Sequence, residues 1–131
     1  MPELSVILPA RDAEKTIHRA VSSTLRAMPT DSELVVLDDG STDGTLQALE
    51  ALSSDRRLRV LHAGGQGGRG VGAALTTLLE HTDSRYVARM DADDISTPWR
   101  FKADLRAVRH SADLAFSTVA KLRGRILTPS M

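Results

Sequence analysis

Leu34-Val35-Val36-Leu37-Asp38-Asp39-Gly40-Ser41-Thr42-Asp43-Gly44 passes from four aliphatic residues into two acids and a turn. An apolar run this short, with no clean polar alternation, reads as a strand covered on both faces. Ser41-Thr42-Asp43-Gly44 is turn chemistry that can also cap a helix. Leu46, Leu49 and Leu52 then fall on one side of that helix. The stretch is a strand, an acid-bearing turn and a helix, and the same alternation continues in both directions.

Upstream, Leu4-Ser5-Val6-Ile7-Leu8 is a second apolar run, and Pro9 is expected to end it. Ile17, Ala20, Val21, Leu25 and Met28 recur at spacings of three and four, which predicts a helix from Ala13 to about Ala27, with Asp12 as its N-cap. Downstream, Leu58-Arg59-Val60-Leu61 is a third strand, and Ala74, Leu75, Leu78 and Leu79 mark a third helix. Tyr86 to Met90 is a fourth strand. Thr97-Pro98 offers a hydroxyl cap followed by proline at the first helical position, before a stripe of Phe101, Leu105 and Val108. Leu114-Ala115-Phe116 suggests a fifth strand. The order β-α-β-α-β-α-β-α-β predicts an α/β fold: one open, mostly parallel sheet with helices on both faces. Residues 1–131 form a single domain in this reading. Ligands of such sheets bind beyond the C-terminal ends of the strands.

Composition narrows the function classes. The 131 residues are 41% apolar, enough for one core. Seventeen basic residues balance seventeen acidic ones, so no global charge draws nucleic acid or an anionic membrane. Only Tyr86, Trp99, Phe101 and Phe116 are aromatic, too few for a base-stacking platform. With no cysteine, thiolate metal sites are excluded. No apolar run reaches the roughly 18 residues of a membrane span, and Met1-Pro2-Glu3-Leu4 does not resemble a signal peptide. A cytoplasmic protein is expected.

The acids of note follow the second and fourth strands. Asp91-Ala92-Asp93-Asp94 places three carboxylates in four residues, where they repel unless a cation neutralises them. Hard ions such as Mg²⁺ or Mn²⁺ take oxygen ligands, typically one or two carboxylates plus substrate phosphates. The plainer reading is that Asp93 and Asp94 cap the next helix and Asp91 is a solvated turn residue. Asp38-Asp39 likewise reads either as backbone support in a turn or as an acceptor for a nucleobase N–H or a ribose hydroxyl.

Gly65-Gln66-Gly67-Gly68-Arg69-Gly70 fits G-x-G-x-x-G and has Asp91 about twenty residues on, the pattern of a dinucleotide-binding oxidoreductase. It would sit in the third β-α unit and leave Asp38-Asp39 unexplained. A flexible loop and a non-catalytic binding or scaffold domain are the plainer alternatives. Arg11 and Arg69 are the cations placed to meet a diphosphate or stack on a base. His18, His62, His81 and His110 make no ligand spacing. A receiver-type domain would carry its acids after the first and third strands instead.

These motifs resemble the family 2 glycosyltransferases, whose fold is GT-A (nucleotide-diphospho-sugar transferase-like). Leu4 to Pro9 looks like the family's opening strand, and Glu33 to Thr45 is close to its consensus. Arg89 to Arg100 resembles a bacterial subgroup that works on cell-surface polysaccharides. The resemblance implies a nucleotide-sugar donor, usually a UDP-sugar, and a glycan or other surface-polysaccharide acceptor. It implies that Pro9, Ala10 and Arg11 line the nucleotide pocket, that Asp39 bonds the base and that Asp38 supports the turn. Asp91, with Ala92 beside it, would lie near the ribose. Asp93, with Asp91 and Asp94, would hold Mg²⁺ or Mn²⁺ between the phosphates.

The chain departs from the family pattern at several points. Where the family often has an aromatic and an asparagine after the first proline, this chain has Arg11-Asp12, so a base stacks there only if Arg11 substitutes. In the third helix Ala74-Leu75 is followed by Thr76, and Leu78 stands where a glycine is favoured. The family's acceptor region and catalytic base lie beyond Met131, so no base is assigned. The chain is expected to be the N-terminal part of a longer transferase, or a product that ends early. An apolar sheet edge left open by such an end would favour a homodimer.

Overall fold

The computed structural model describes residues 1–63, 68–110, 119–123 and 126–130. Strands β1 (Leu4–Ala10), β2 (Ser32–Asp38), β3 (Leu58–His62) and β4 (Tyr86–Arg89) form a parallel sheet in the order β3-β2-β1-β4. Helices α1 (Ile17–Ala27), α2 (Thr45–Glu50) and α3 (Val71–Glu80) connect them, and α4 (Arg100–His110) follows β4. A separate antiparallel pair is formed by β5 (Val119–Arg123) and β6 (Ile126–Ser130). The expected strand at Leu114 to Phe116 lies outside the described residues.

Strands β1 and β2 are buried on both faces, as their composition predicts, whereas Arg59 and His62 of β3 and Val87 and Arg89 of β4 are exposed. Leu4, Val6, Leu8, Leu34 and Val36 pack in one core with Ile17, Ala20, Val21 and Leu25 of α1, Leu49 of α2, and Phe101 and Leu105 of α4. The intervening Ile7, Val35 and Leu37 pack on the other face with Ala74 and Leu78 of α3. Right-handed crossovers explain the split. The steps β1 to β2 and β2 to β3 run one way and put α1 and α2 on one face. The step from β3 back to β4 runs the other way and puts α3 opposite. The direction reverses between β1 and β4, and at such a switch point open α/β sheets bind ligands.

Local chemistry sets several boundaries. Met28 leaves α1 with an extended backbone (ψ 142°), because the residue before Pro29 is barred from helical geometry. Pro9 does not end β1, contrary to expectation: the strand continues to Ala10, with Pro9 opposite Leu37. The hydrogen bonds show why. Ile7 O accepts from Met90 N on the β4 side, and Ala10 O accepts from Asp39 N on the β2 side. Pro9, in step with Ile7, turns its missing N–H toward a flank where β4 has already finished at Arg89.

Two helix starts also differ from expectation. Asp12 does not cap α1. The residue flanking that helix is Thr16, with no side-chain cap bond. Thr97-Pro98 precedes α4 by a turn, in which Arg100 N donates to Thr97 O, and the helix begins at Arg100. The expected apolar stripe is present: burying Phe101 and Leu105 contributes roughly 1.5–3 kcal/mol each to docking α4.

Candidate functional site

The ends of β1 and β2 form one half of the site. Gly40 has φ 75°, a conformation glycine adopts without cost, and this turns the chain sharply after Asp39. Asp38 is 7% exposed, and its Oδ1 accepts from Ser41 N at 3.3 Å, which closes the turn. Asp39 is 4% exposed. Its carboxylate accepts from Arg69 N (3.2 and 3.1 Å) and Gly70 N (3.2 Å), so it holds the start of α3 from across the sheet edge. The amides that a pyrophosphate would need there are taken by an acid, which opposes the dinucleotide reading of the glycine segment. Gly65, Gln66 and Gly67 of that motif lie outside the described residues.

A polar clasp joins the loops after β1 and β2. Asp12 takes a left-handed backbone (φ 48°), which aspartate tolerates better than most residues. Its N–H donates to Ser41 Oγ at 2.9 Å, and its Oδ1 accepts from Thr42 N at 2.8 Å. Ala13 N donates to Thr45 Oγ1 at 2.8 Å, and Glu14 accepts from Gly44 N at 2.9 Å. Asp43 accepts from Thr45 N, Thr45 Oγ1 and Glu14 N. The Thr45 hydroxyl, first among these, holds the Asp43 carboxyl below its ordinary range. Arg11, exposed at the lip, lies against Gly68. A Cβ on Gly68 would come within 2.7 Å of Arg11 Cδ and Cζ.

The other half of the site follows β4. Ile7 pairs with Arg89 while Ala10 pairs with Asp38, so β4 stops three residues short of β1, about 10 Å along the strand. Asp91, Asp93 and Asp94 follow, with one carboxylate oxygen from each lying within 4.8 Å of the others. Oxygens around Mg²⁺ or Mn²⁺ lie roughly 3–4 Å apart. Small side-chain rotations bring this set into range, so the donors fit a hard divalent ion. Asp93 is exposed, and Asp91 and Asp94 are half-buried. A cavity of about 140 Å³ beside them is lined by Arg89, Met90, Asp91, Asp94, Ile95, Thr97 and Arg100.

The model of glycosyl transferase family 2 matches residues 5–123. The chain belongs to this family. It is 34% identical to chondroitin synthase of Escherichia coli over 116 residues, 88% of this chain and 16% of that protein. The crystal structure of S. aureus TarS 1-349 with UDP superposes with a TM-score of 0.75 at 29% identity, over 84% of this chain and 32% of that one. Glucosyl-3-phosphoglycerate synthase from Mycobacterium tuberculosis, in complex with Mn²⁺, UDP and glucosyl-3-phosphoglycerate, superposes at 0.67 and 29% identity, over 86% of this chain and 41% of that one. In each case the chain spans less than half of the other protein's length. The open parallel sheet is the GT-A type of these transferases. Among the described residues, no helix of this family 2 chain is long and apolar enough to cross a membrane.

Family membership does not reveal how the acidic loop is supported, and neither did sequence reasoning. Ser96, buried beyond the acids, shares a 2.9 Å hydrogen bond with Thr24 of α1 and donates its N–H to Ser23 Oγ at 3.0 Å. Arg100 reaches back from α4. It donates to Arg89 O at 2.6 Å, Met90 Sδ at 3.0 Å and Ser96 Oγ at 3.4 Å. Burial pulls the Arg100 pKa down, and Asp104, Asp94 and Asp91 oppose that pull. A Thr-Ser pair 72 residues apart leaves no local sequence signal. Leu78, at the family's glycine position, is fully buried against the sheet.

Proposed function

We propose that this chain is the donor-binding part of a metal-assisted glycosyltransferase that takes a nucleoside-diphosphate sugar, most simply a UDP-sugar, for transfer to a glycan or other surface-polysaccharide acceptor in the cytoplasm. The observation that carries the reading is the placement of two acid clusters. Asp38-Asp39 and Asp91 to Asp94 flank the end of β1 at the switch point of one parallel sheet. UDP in the TarS structure, and UDP with Mn²⁺ in the mycobacterial synthase, support it.

In this reading Pro9, Ala10 and Ala92 line the nucleotide pocket. The Asp39 carboxylate has acceptor capacity left beyond the two amides it holds, and it takes a base N–H. Asp38 keeps the turn in place, and Asp91 lies near the ribose. Arg11 and Arg69 are the cations placed to meet the diphosphate or the base face. Asp93, with Asp91 and Asp94, would hold Mg²⁺ or Mn²⁺, which would supply Lewis-acid stabilisation of diphosphate charge.

Titration calorimetry with UDP, with and without Mn²⁺, tests the assignment. Binding that requires Mn²⁺ and is lost in Asp93→Ala is the expected result. Equal binding without metal removes the role given to Asp91, Asp93 and Asp94.

A further inference from the structure

The acidic loop already has a cation on it. Arg89, the last residue of β4, donates from Nε (3.3 Å) and Nη2 (3.2 Å) to the same oxygen, Asp91 Oδ1. The two side chains are 54% and 48% exposed, so the guanidinium is tethered but unburied. Arg100 is different. Its bonds to Arg89 O, Met90 Sδ and Ser96 Oγ pin it beneath the loop, where it cannot withdraw. Of these two arginines, only Arg89 both neutralises a carboxylate of the cluster and can leave it.

We infer that Arg89 is a built-in competitor for the divalent ion at Asp91, holding down the metal affinity of the bare protein so that tight binding waits for the oxygens of the donor's diphosphate. This rests on the metal reading of Asp91, Asp93 and Asp94. A divalent ion using Asp91 Oδ1 must displace the guanidinium or accept a unit positive charge a few ångströms away. At an exposed site that repulsion weakens metal binding by about three- to tenfold at low salt. The penalty falls on the bare protein most heavily, because a bound diphosphate supplies further oxygen ligands and negative charge.

The test is the free Mn²⁺ signal in electron paramagnetic resonance, titrated against the full chain without nucleotide. Wild type is compared with Arg89→Gln, Arg89→Lys and Asp93→Ala. Arg89→Gln is expected to bind Mn²⁺ about three- to tenfold more tightly at low salt, with the gain shrinking toward unity near about 0.5 M salt. Arg89→Lys, which keeps the charge, is expected to stay near wild type. Arg89 is exposed at a strand end, so circular dichroism should show all variants folded. Equal or weaker binding by folded Arg89→Gln overturns the inference, as does a matching gain in Arg89→Lys. In those cases loss of binding in Asp93→Ala still leaves the metal reading standing. Mn²⁺ binding absent from every folded variant also overturns the inference, and Mn²⁺ binding unaffected by Asp93→Ala removes the metal reading and the inference with it.

Discussion

At the end of β2, Asp38 and Asp39 are almost wholly buried, and their carboxylates accept backbone N–H groups at Ser41, Arg69 and Gly70. At the end of β4, Asp93 stands exposed and the Asp91 side chain is 48% exposed, answered by an arginine that is itself in solvent. Both strand ends carry clustered acids, yet one is set in a satisfied hydrogen-bond network and the other is a charged loop. Under the proposed function, the difference follows from what each end would meet. A planar base with fixed donors is recognised by acceptors held in place beforehand. A divalent ion needs oxygens that can close around it, and charge that no rigid network has already cancelled.

If this contrast is right, equivalent substitutions at the two ends should behave oppositely. Asp39→Ala strands the Arg69 and Gly70 amides and should cost about 1–3 kcal/mol in urea unfolding. Asp93→Ala should stay within about 0.5 kcal/mol of wild type, even as it loses Mn²⁺. Equal destabilisation at both sites would break the comparison.

A smaller effect sharpens it at the lip of the half formed by the ends of β1 and β2. Gly68→Ala puts a methyl where Arg11 lies, so the flexible arginine must swing away. Affinity for UDP should fall by up to about tenfold with little change in stability. Combining it with Arg11→Ala should add nothing further. Additive losses would show that Gly68 acts independently of Arg11.

The smallest effect concerns the clasp. The folded-state pKa of Asp43 is depressed, chiefly by the Thr45 hydroxyl. The stability this confers is fully present above the unfolded value, about 4. It is lost as pH falls through the lower folded value. The advantage of wild type over Asp43→Asn in thermal melting should therefore hold at neutral pH and shrink as the pH drops below about 4. A gap that persists unchanged to lower pH would remove Asp43 from the clasp's energetics.

Much of this was legible beforehand. The four parallel strands, the buried stripes of α1 and α4, and the acids at the strand ends all came from local periods and turn residues, since period and side-chain size act over a few neighbouring positions. The errors arose where tertiary context overrode a local rule. Pro9 stays inside β1 because its neighbour has already ended, and Asp12 abandons the α1 N-terminus for Thr42 across the loop.

The sequence by itself determined the fold class and the chemistry at the strand ends: clustered carboxylates, with arginines nearby. Only the tertiary structure decided the strand order β3-β2-β1-β4, which sets Pro9 to Arg11 between the two acid clusters. It also decided that Asp39 holds the start of α3, that Ser23 and Thr24 support the acidic loop through Ser96, and that Arg89 rather than Arg100 can give way. Apart from the Arg89–Asp91 pair and Arg100's reach back to it, those contacts join residues about thirty to seventy positions apart. Adjacency of that kind is created by packing, and no local pattern encodes it.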